Sequence, residues 1–343
     1  MTLVVPDIHH MLGEFALIEK YFTRPAPSAV LGVGDDCALV RPSPAMELAI
    51  TTDMLVAGRH FLPTDGPGTL GHKALAVNLS DLAAMGASPR WVLLAIGLPE
   101  ADENFLRGFA GGFFGLAQKF GVELIGGDTS RSGLLSIAIT AIGELPAGAA
   151  LRRDGAQSGD DIWVSGTLGD AAAALAHHQG ALKLSSEESV ACFPRLFVPT
   201  PRVALGLALR GIAHSCIDVS DGFAADLGHI LERSAKGGEV EFELLPLSPA
   251  LKAHAHEKAA HGCVLAGGDD YELVFTASPH RRTEIDALSD QLQLLLTRVG
   301  QVLPSPSGRG ARGDGERLII RRNGEQIPLA RTGFDHFASA SAE

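Results

Sequence analysis

The chain has 343 residues, 46% of them hydrophobic and 20% charged, with a formal net charge of −12. That length accommodates two domains, each with its own core, and the acidic balance argues against nucleic-acid binding, which requires a basic stripe. No uncharged apolar run reaches the roughly 18 residues of a membrane span. The first residues lack the basic-then-apolar pattern of a signal peptide. A cytoplasmic protein with no membrane or nucleic-acid partner is therefore expected. The four cysteines, Cys37, Cys192, Cys216 and Cys263, are far apart and form no C-x-x-C pair, which suits reduced thiols and no zinc site.

In chain order, residues 11–22 predict a short amphipathic helix ended by Pro25 and Pro27. Residues 31–34 predict a strand running into an acidic turn at Asp35 and Asp36. Residues 47–52 predict a second strand, ending at Asp53. Residues 73–89 read as a buried helix: Leu75, Leu79 and Leu82 recur at helical spacing, alanines fill the gaps, and Gly86 and Pro89 stop it. Asn78, Ser80 and Asp81 interrupt that apolar run, and an ionised Asp81 there is costly unless a cation or donors meet it. Strand 90–98, helix 105–120, strand 122–125 leading into Gly126-Gly-Asp128, and strand 134–143 follow.

The Gly- and Ala-rich stretch 147–159 reads as a domain boundary, dividing the chain into 1–147 and 148–343. Beyond it come strand 161–165, the turn Gly166-Thr-Leu-Gly169 and an Ala-rich helix from Asp170 to His177. Strand 214–217 meets Asp218-Val-Ser-Asp-Gly222, which opens a helix running to about residue 234. Gly267-Gly-Asp-Asp270 precedes strand 271–276, and residues 305–315 resemble a flexible hairpin loop. Strands alternate with helices in both halves, so two α/β or α+β domains are expected, each a sheet with helices packed on it.

The acidic residues share one setting, the end of an apolar strand beside glycine. This holds for Asp35 and Asp36, Asp53, Asp128, Asp218 and Asp221, and Asp269 and Asp270. Strand ends of open α/β sheets are where ligand crevices form. Carboxylates gathered without cations would repel or take up protons, whereas Mg²⁺ accepts oxygen ligands and binds where phosphates complete its shell. Plainer readings stand beside this one. Ser220 or Asp221 suits a helix N-cap, the paired aspartates suit ordinary turns, and Thr51 and Thr52 suit a strand. Gly166-Thr-Leu-Gly169 suits a structural turn as well as a phosphate cradle. P-loop, protein-kinase, G-x-G-x-x-G, H-E-x-x-H and G-x-S-x-G motifs are all absent. His254, His256 and His261 read as surface residues.

Eight segments together resemble the bacterial thiamine-monophosphate kinases, within the aminoimidazole-ribonucleotide synthetase superfamily. They are Gly13-Glu-Phe-Ala-Leu-Ile18, Gly32-Val-Gly-Asp-Asp-Cys-Ala38, Thr51-Thr-Asp53 with Ala57-Gly-Arg-His-Phe61, the helix 73–86, Gly126-Gly-Asp-Thr129, Asp218-Val-Ser-Asp-Gly222, Gly267-Gly-Asp-Asp-Tyr-Glu-Leu273 and Gly333-Phe-Asp-His-Phe337. The resemblance implies the superfamily's two-domain fold, with an N-terminal ATP- and Mg²⁺-binding dimerisation domain. It implies ATP-dependent phosphorylation of thiamine monophosphate to thiamine diphosphate by direct in-line transfer, with several Mg²⁺ ions, in a cytoplasmic homodimer. Carried over by motif position, the metal ligands are Asp36, Thr51, Thr52, Asp53, Asp81, Asp128, Asp218 and Asp221. Of these, Asp53, Asp81, Asp128 and Asp221 are central to catalysis. ATP falls to Gly127, Asp128, Arg153 and Ser220, and the thiamine substrate to His60, Asp269 and Phe334. Three positions depart from the family's usual choices: Asp269 for Glu, Phe334 for Tyr or Trp, and Thr51 for Ser. The alternatives are another ATP-using synthetase of the superfamily or a non-catalytic nucleotide and Mg²⁺ binder. A selenophosphate synthetase would carry a reactive Cys near its start, and the first 36 residues have none.

Overall fold

The computed structural model describes residues 13–305, 317–328 and 333. The architecture is α/β, two sheets with helices packed on them, and the chain forms two compact units. Among the described residues, one comprises 13–41, 52–75 and 90–141; the other comprises 42–51, 76–89 and those from 142 onward. Among the described residues no helix is long and apolar enough to cross a membrane, and all four cysteines are free thiols.

Strands β1 (Met46–Val56), β2 (Ser88–Leu98), β3 (Glu123–Arg131) and β4 (Ser136–Pro146) form a four-stranded sheet in the order β1-β4-β2-β3. The helices of this part of the chain are α1 (Glu14–Tyr21), α2 (Pro67–Ala84) and α3 (Glu103–Phe120). Helix α3 buries Leu106, Phe109, Ala110, Phe113, Leu116 and Ala117, a stripe at helical spacing. Asp102 caps its start by accepting from the Asn104 N–H at 2.8 Å, and Gly121 at φ 66° closes its end. The first turns of α2 lie against α3 at backbone distance: a Cβ on Gly112 would stand 1.8 Å from the Gly68 carbonyl oxygen. Only glycine permits that approach.

The second unit is built on a seven-stranded sheet of β5 (Asp161–Ser165), β6 (Ser215–Asp218), β7 (Gly237–Glu241), β8 (Leu273–Ala277), β9 (Leu296–Leu303), β10 (Leu318–Arg322) and β11 (Glu325–Gln326). Its order is β11-β10-β7-β9-β5-β8-β6. All pairings are antiparallel except β10 with β7. Every residue of β5, β6 and β8 is buried, as expected for strands covered on both faces. Helices α4 (Asp170–His178), α5 (Ser186–Phe197), α6 (Val203–Ala208), α7 (Phe223–Arg233), α8 (Pro249–Ala253), α9 (Lys258–Ala266) and α10 (Arg282–Leu292) complete the unit. Helix α7 contributes Phe223, Leu227, Ile230 and Leu231 to the core, the face its sequence predicts.

Two expectations change, and a third is not tested. Residues 31–39 make only isolated bridges, Leu31 with Leu39 and Val33 with Asp35, because two glycines weaken any ladder there. Asp53 and Asp128 do not follow strands but sit inside them, in β1 and β3. β3 continues through Gly126 and Gly127 because β2 supplies partners to both, Leu93 and Leu94. The loop expected at 305–315 lies, after Ser305, outside the described residues.

Candidate active site

Helix α2 explains its own anomaly. Asn78 and Ser80 are fully buried, and the Ser80 hydroxyl donates to Asp218 Oδ2 at 2.7 Å. The next residue, Asp81, accepts a hydrogen bond from the Thr51 hydroxyl. Thr51 is thus more than a strand former. Burial raises the proton affinity of Asp81 above that of an ordinary aspartate, opposed by the Thr51 hydrogen bond and the positive charge of Arg153. One helix edge therefore gathers Thr51, Asp81 and the field of Arg153, with Asp218 held through the neighbouring serine. Arg153 itself is exposed, and its carbonyl accepts from the Ser234 hydroxyl.

Asp218 ends β6, and the chain turns through Val219, Ser220, Asp221 and Gly222 into α7. The N-cap of α7 is Gly222, with no side-chain cap, so neither Ser220 nor Asp221 serves as its N-cap. The turn is held instead by Asp226 from the first turn of α7. Its Oδ2 accepts from the N–H groups of Ser220, Asp221 and Gly222 at 3.0, 3.1 and 3.1 Å. Burial, assisted by the nearby Asp221 charge, pushes the Asp226 carboxyl up to about 7, against the pull of those three donors. Sequence reasoning passed over Asp226. Its signal was an acidic side chain in a helix's first turn, placed to reach back to free amides.

The segment carrying Asp269 is stitched to the same turn. The Asp269 N–H donates to the Ser220 carbonyl at 3.0 Å and the Tyr271 N–H to the Val219 carbonyl at 2.8 Å. Asp269 and Tyr271 both have left-handed backbone, φ 69° and 50°, a conformation that costs energy in non-glycine residues. The Tyr271 hydroxyl donates to Asp269 Oδ1 at 2.8 Å. The alternate residues face buried partners. Asp270 Oδ2 accepts from the Gly169 N–H at 2.7 Å, and burial raises its proton affinity strongly. Glu272, fully buried, pairs with the guanidinium groups of Arg195 and Arg202 and accepts from the Ser165 hydroxyl. Gly169, the N-cap of α4, thus already donates to the chain's own carboxylate, and the turn reading of residues 166–169 is the one the geometry favours.

The remaining described candidates belong to the other unit. Asp36 is exposed, and its N–H donates to Asp35 Oδ1. The Thr52 hydroxyl donates to the Ile139 carbonyl at 3.1 Å. Asp53 and His60 are half-buried, and His60 Nδ1 accepts from the Val56 N–H at 3.0 Å. Asp128 is exposed and accepts from the Ser130 hydroxyl at 2.8 Å. Gly127 has φ 149°, and a Cβ there would stand 1.8 Å from the Leu94 carbonyl oxygen. Phe334 lies outside the described residues.

The donors assembled here are carboxylate and hydroxyl oxygens, the type a hard divalent cation takes. Among the described residues, no three His, Cys, Asp or Glu side chains already form a metal-holding group. Mg²⁺ rarely needs such a cage, since it takes one or two carboxylates and fills its shell with water and phosphate. Asp81 fits that role: a half-buried carboxylate whose charge is favoured by one hydroxyl and the field of Arg153 gains from a cation beside it.

Comparison with known proteins agrees with this architecture. Residues 34–145 match the family model described as AIR synthase related protein, N-terminal domain. A thiamine-monophosphate kinase of Escherichia coli K12 is 45% identical over 331 residues, covering 95% of this chain and 99% of that protein. The crystal structure of a thiamine-monophosphate kinase from Stenotrophomonas maltophilia superposes with a TM-score of 0.80 at 47% identity, covering 92% of this chain and 98% of the other. A structure described as AaThiL complexed with AMPPCP and TMP has a TM-score of 0.73 at 31% identity, covering 95% and 97%.

Proposed function

The chain belongs to the thiamine-monophosphate kinase family, and on that premise we propose that it transfers the γ-phosphoryl group of ATP to thiamine monophosphate, giving thiamine diphosphate and ADP. The observation that carries this reading is near-full-length similarity at 45% identity. The ATP analogue and TMP named with the AaThiL structure support it.

Both reactants are anions, and bringing two unit charges to about 4 Å costs about 4 kcal/mol at an effective dielectric of 20. The protein's net charge of −12 does not help. Several Mg²⁺ ions would be held by Asp36, Thr51, Thr52, Asp53, Asp81, Asp128, Asp218 and Asp221. When bound, they supply charge neutralisation and alignment of the phosphates. Asp53, Asp81, Asp128 and Asp221 are the carboxylates on which turnover depends. Gly127, Asp128, Arg153 and Ser220 hold ATP, Arg153 with a guanidinium suited to bidentate phosphate contact. His60, Asp269 and Phe334 hold the thiamine part, Phe334 through its aromatic face against the cationic ring. The acceptor phosphate is already ionised near neutral pH, so no general base is needed. Positioning and electrostatics carry the rate. Transfer is in-line, without a phosphoenzyme.

The protein acts in the cytoplasm as a homodimer, with residues 1–147 forming the ATP-binding and dimerisation domain and 148–343 completing the site. Met46, Ile50 and Met54 of β1, at the edge of its sheet, are exposed, and a second copy would cover such an apolar edge.

The test is incubation with ATP, Mg²⁺ and either thiamine monophosphate or thiamine, following thiamine diphosphate and ADP. Diphosphate from the monophosphate alone, abolished by EDTA, is the expected result. ADP without thiamine diphosphate would move the reaction to another acceptor, and ATP binding without ADP would make the protein a non-catalytic binder.

A further inference from the structure

Three consecutive main-chain N–H groups converging on one point form a concave anion site of the kind that cradles phosphate. Ser220, Asp221 and Gly222 form such a site, and the anion in it is Asp226, only 2% exposed, with Oδ2 at 3.0 to 3.1 Å from all three nitrogens. The opposite side of the same turn is fixed by main chain. Ser220 and Val219 accept from Asp269 and Tyr271, and the Val219 N–H donates to the Glu272 carbonyl at 2.8 Å. Nothing in this arrangement waits for a ligand. The turn is shaped in advance, and its amides are spent.

We propose that Asp226 is a positioning residue of the phosphoryl-transfer reaction, an internal anion that fixes the Ser220–Asp221–Gly222 turn so that the Asp221 carboxylate and the Ser220 hydroxyl are presented in one geometry. The inference rests on the roles proposed above for Ser220 and Asp221. It also assigns these amides away from phosphate. With the site filled by Asp226, ATP meets this turn through the side chains of Ser220 and Asp221 and not through its backbone.

The test compares the full-length parent with Asp226→Ala and Asp226→Asn. Turnover is measured against thiamine monophosphate and Mg²⁺ concentration. Mn²⁺ binding is measured by electron paramagnetic resonance with AMPPCP present, and hydrogen exchange is measured at residues 220–222. Asp226→Ala should lower kcat and weaken Mn²⁺ binding by about 10- to 100-fold, the usual penalty for losing support behind a ligand. KM for thiamine monophosphate should stay near the parent value, and exchange at 220–222 should be faster. Formate, which can occupy the vacated anion site, should restore part of the rate. Asp226→Asn keeps an acceptor oxygen and should fall between the two. A folded Asp226→Ala protein with parental kcat and parental Mn²⁺ affinity would overturn the proposal. If Asp226→Ala does not fold, Asp226→Asn decides, and parental values in it overturn the proposal equally. A parent that makes no thiamine diphosphate defeats the functional reading instead, and Mn²⁺ affinity and amide exchange then judge the anchor without it.

Discussion

Asp81 is a half-buried carboxylate and Glu272 a fully buried one, and they differ in what meets them. Asp81 has one hydroxyl and the field of one arginine, so its ionised form is held at a cost. Replacing it by Asn should keep the fold, with a melting temperature equal to or above the parent's. Thiamine diphosphate formation at saturating Mg²⁺ should fall by at least about 100-fold, as for loss of a group stabilising the transition state. A normally folded Asp81→Asn protein with near-parental rate would remove Asp81 from the site. Glu272 has two guanidinium partners and a serine hydroxyl. In Glu272→Gln those cations lose their counter-charge, and urea denaturation should show a loss of about 3–5 kcal/mol, the range for breaking a buried pair. The sequence made Asp81 conspicuous because it breaks a run of Leu and Ala. Glu272 was not legible, since its partners Arg195 and Arg202 stand 77 and 70 residues away. Asp226 hid for the opposite reason, as an acid in a helix's first turn is too ordinary to attract notice.

Elements with strong periodicity were readable nearly to the residue. Strand β5 has the bounds the sequence predicts, and α3 and α7 differ at their starts or ends by a residue or two. Strands β1 and β3 run past the acids taken as their ends, because ladder partners in the folded sheet outweigh the local weakness of glycine. Such partners are invisible until the sheet exists. At this scale, Gly112→Ala should push α3 from α2 and destabilise by about 1–3 kcal/mol, the usual penalty for overpacking, measurable by chemical denaturation. A second prediction concerns α5 and α9. His254 Nδ1 meets Glu257, the N-cap of α9, at 2.6 Å, and its Nε2 meets Glu188 of α5 at 3.3 Å. The Glu257 hydrogen bond, followed by Glu188, holds its pKa above the usual 6.5. The stabilisation is therefore complete below about 6.5 and fades as pH rises through the raised value. Parent and His254→Gln should differ more at pH 6 than at pH 9, by a fraction of ~1 kcal/mol given solvent screening. Equal differences at both pH values would show that the histidine does not titrate against these acids.

For the whole molecule, the exposed apolar side chains of β1 bear on assembly. The proposed homodimer predicts twice the chain mass for the parent in light scattering behind size exclusion and a monomer for Ile50→Glu with Met54→Glu, and a monomeric parent would show that β1 faces solvent. The sheet order of the second unit bears on how the protein is made. Strand β5 leaves the ribosome early, yet its two neighbours, β8 and β9, lie more than 100 residues downstream. Translation covers the roughly 140 residues from Ser165 to Leu303 in about 7–28 s at about 5–20 residues per second. Until β8 and then β9 emerge, Ile162, Trp163 and Val164 are apolar with no partner strand beside them. The nascent chain is thus a natural client for holding chaperones, and pauses in synthesis between β5 and β9 lengthen its period of greatest aggregation risk.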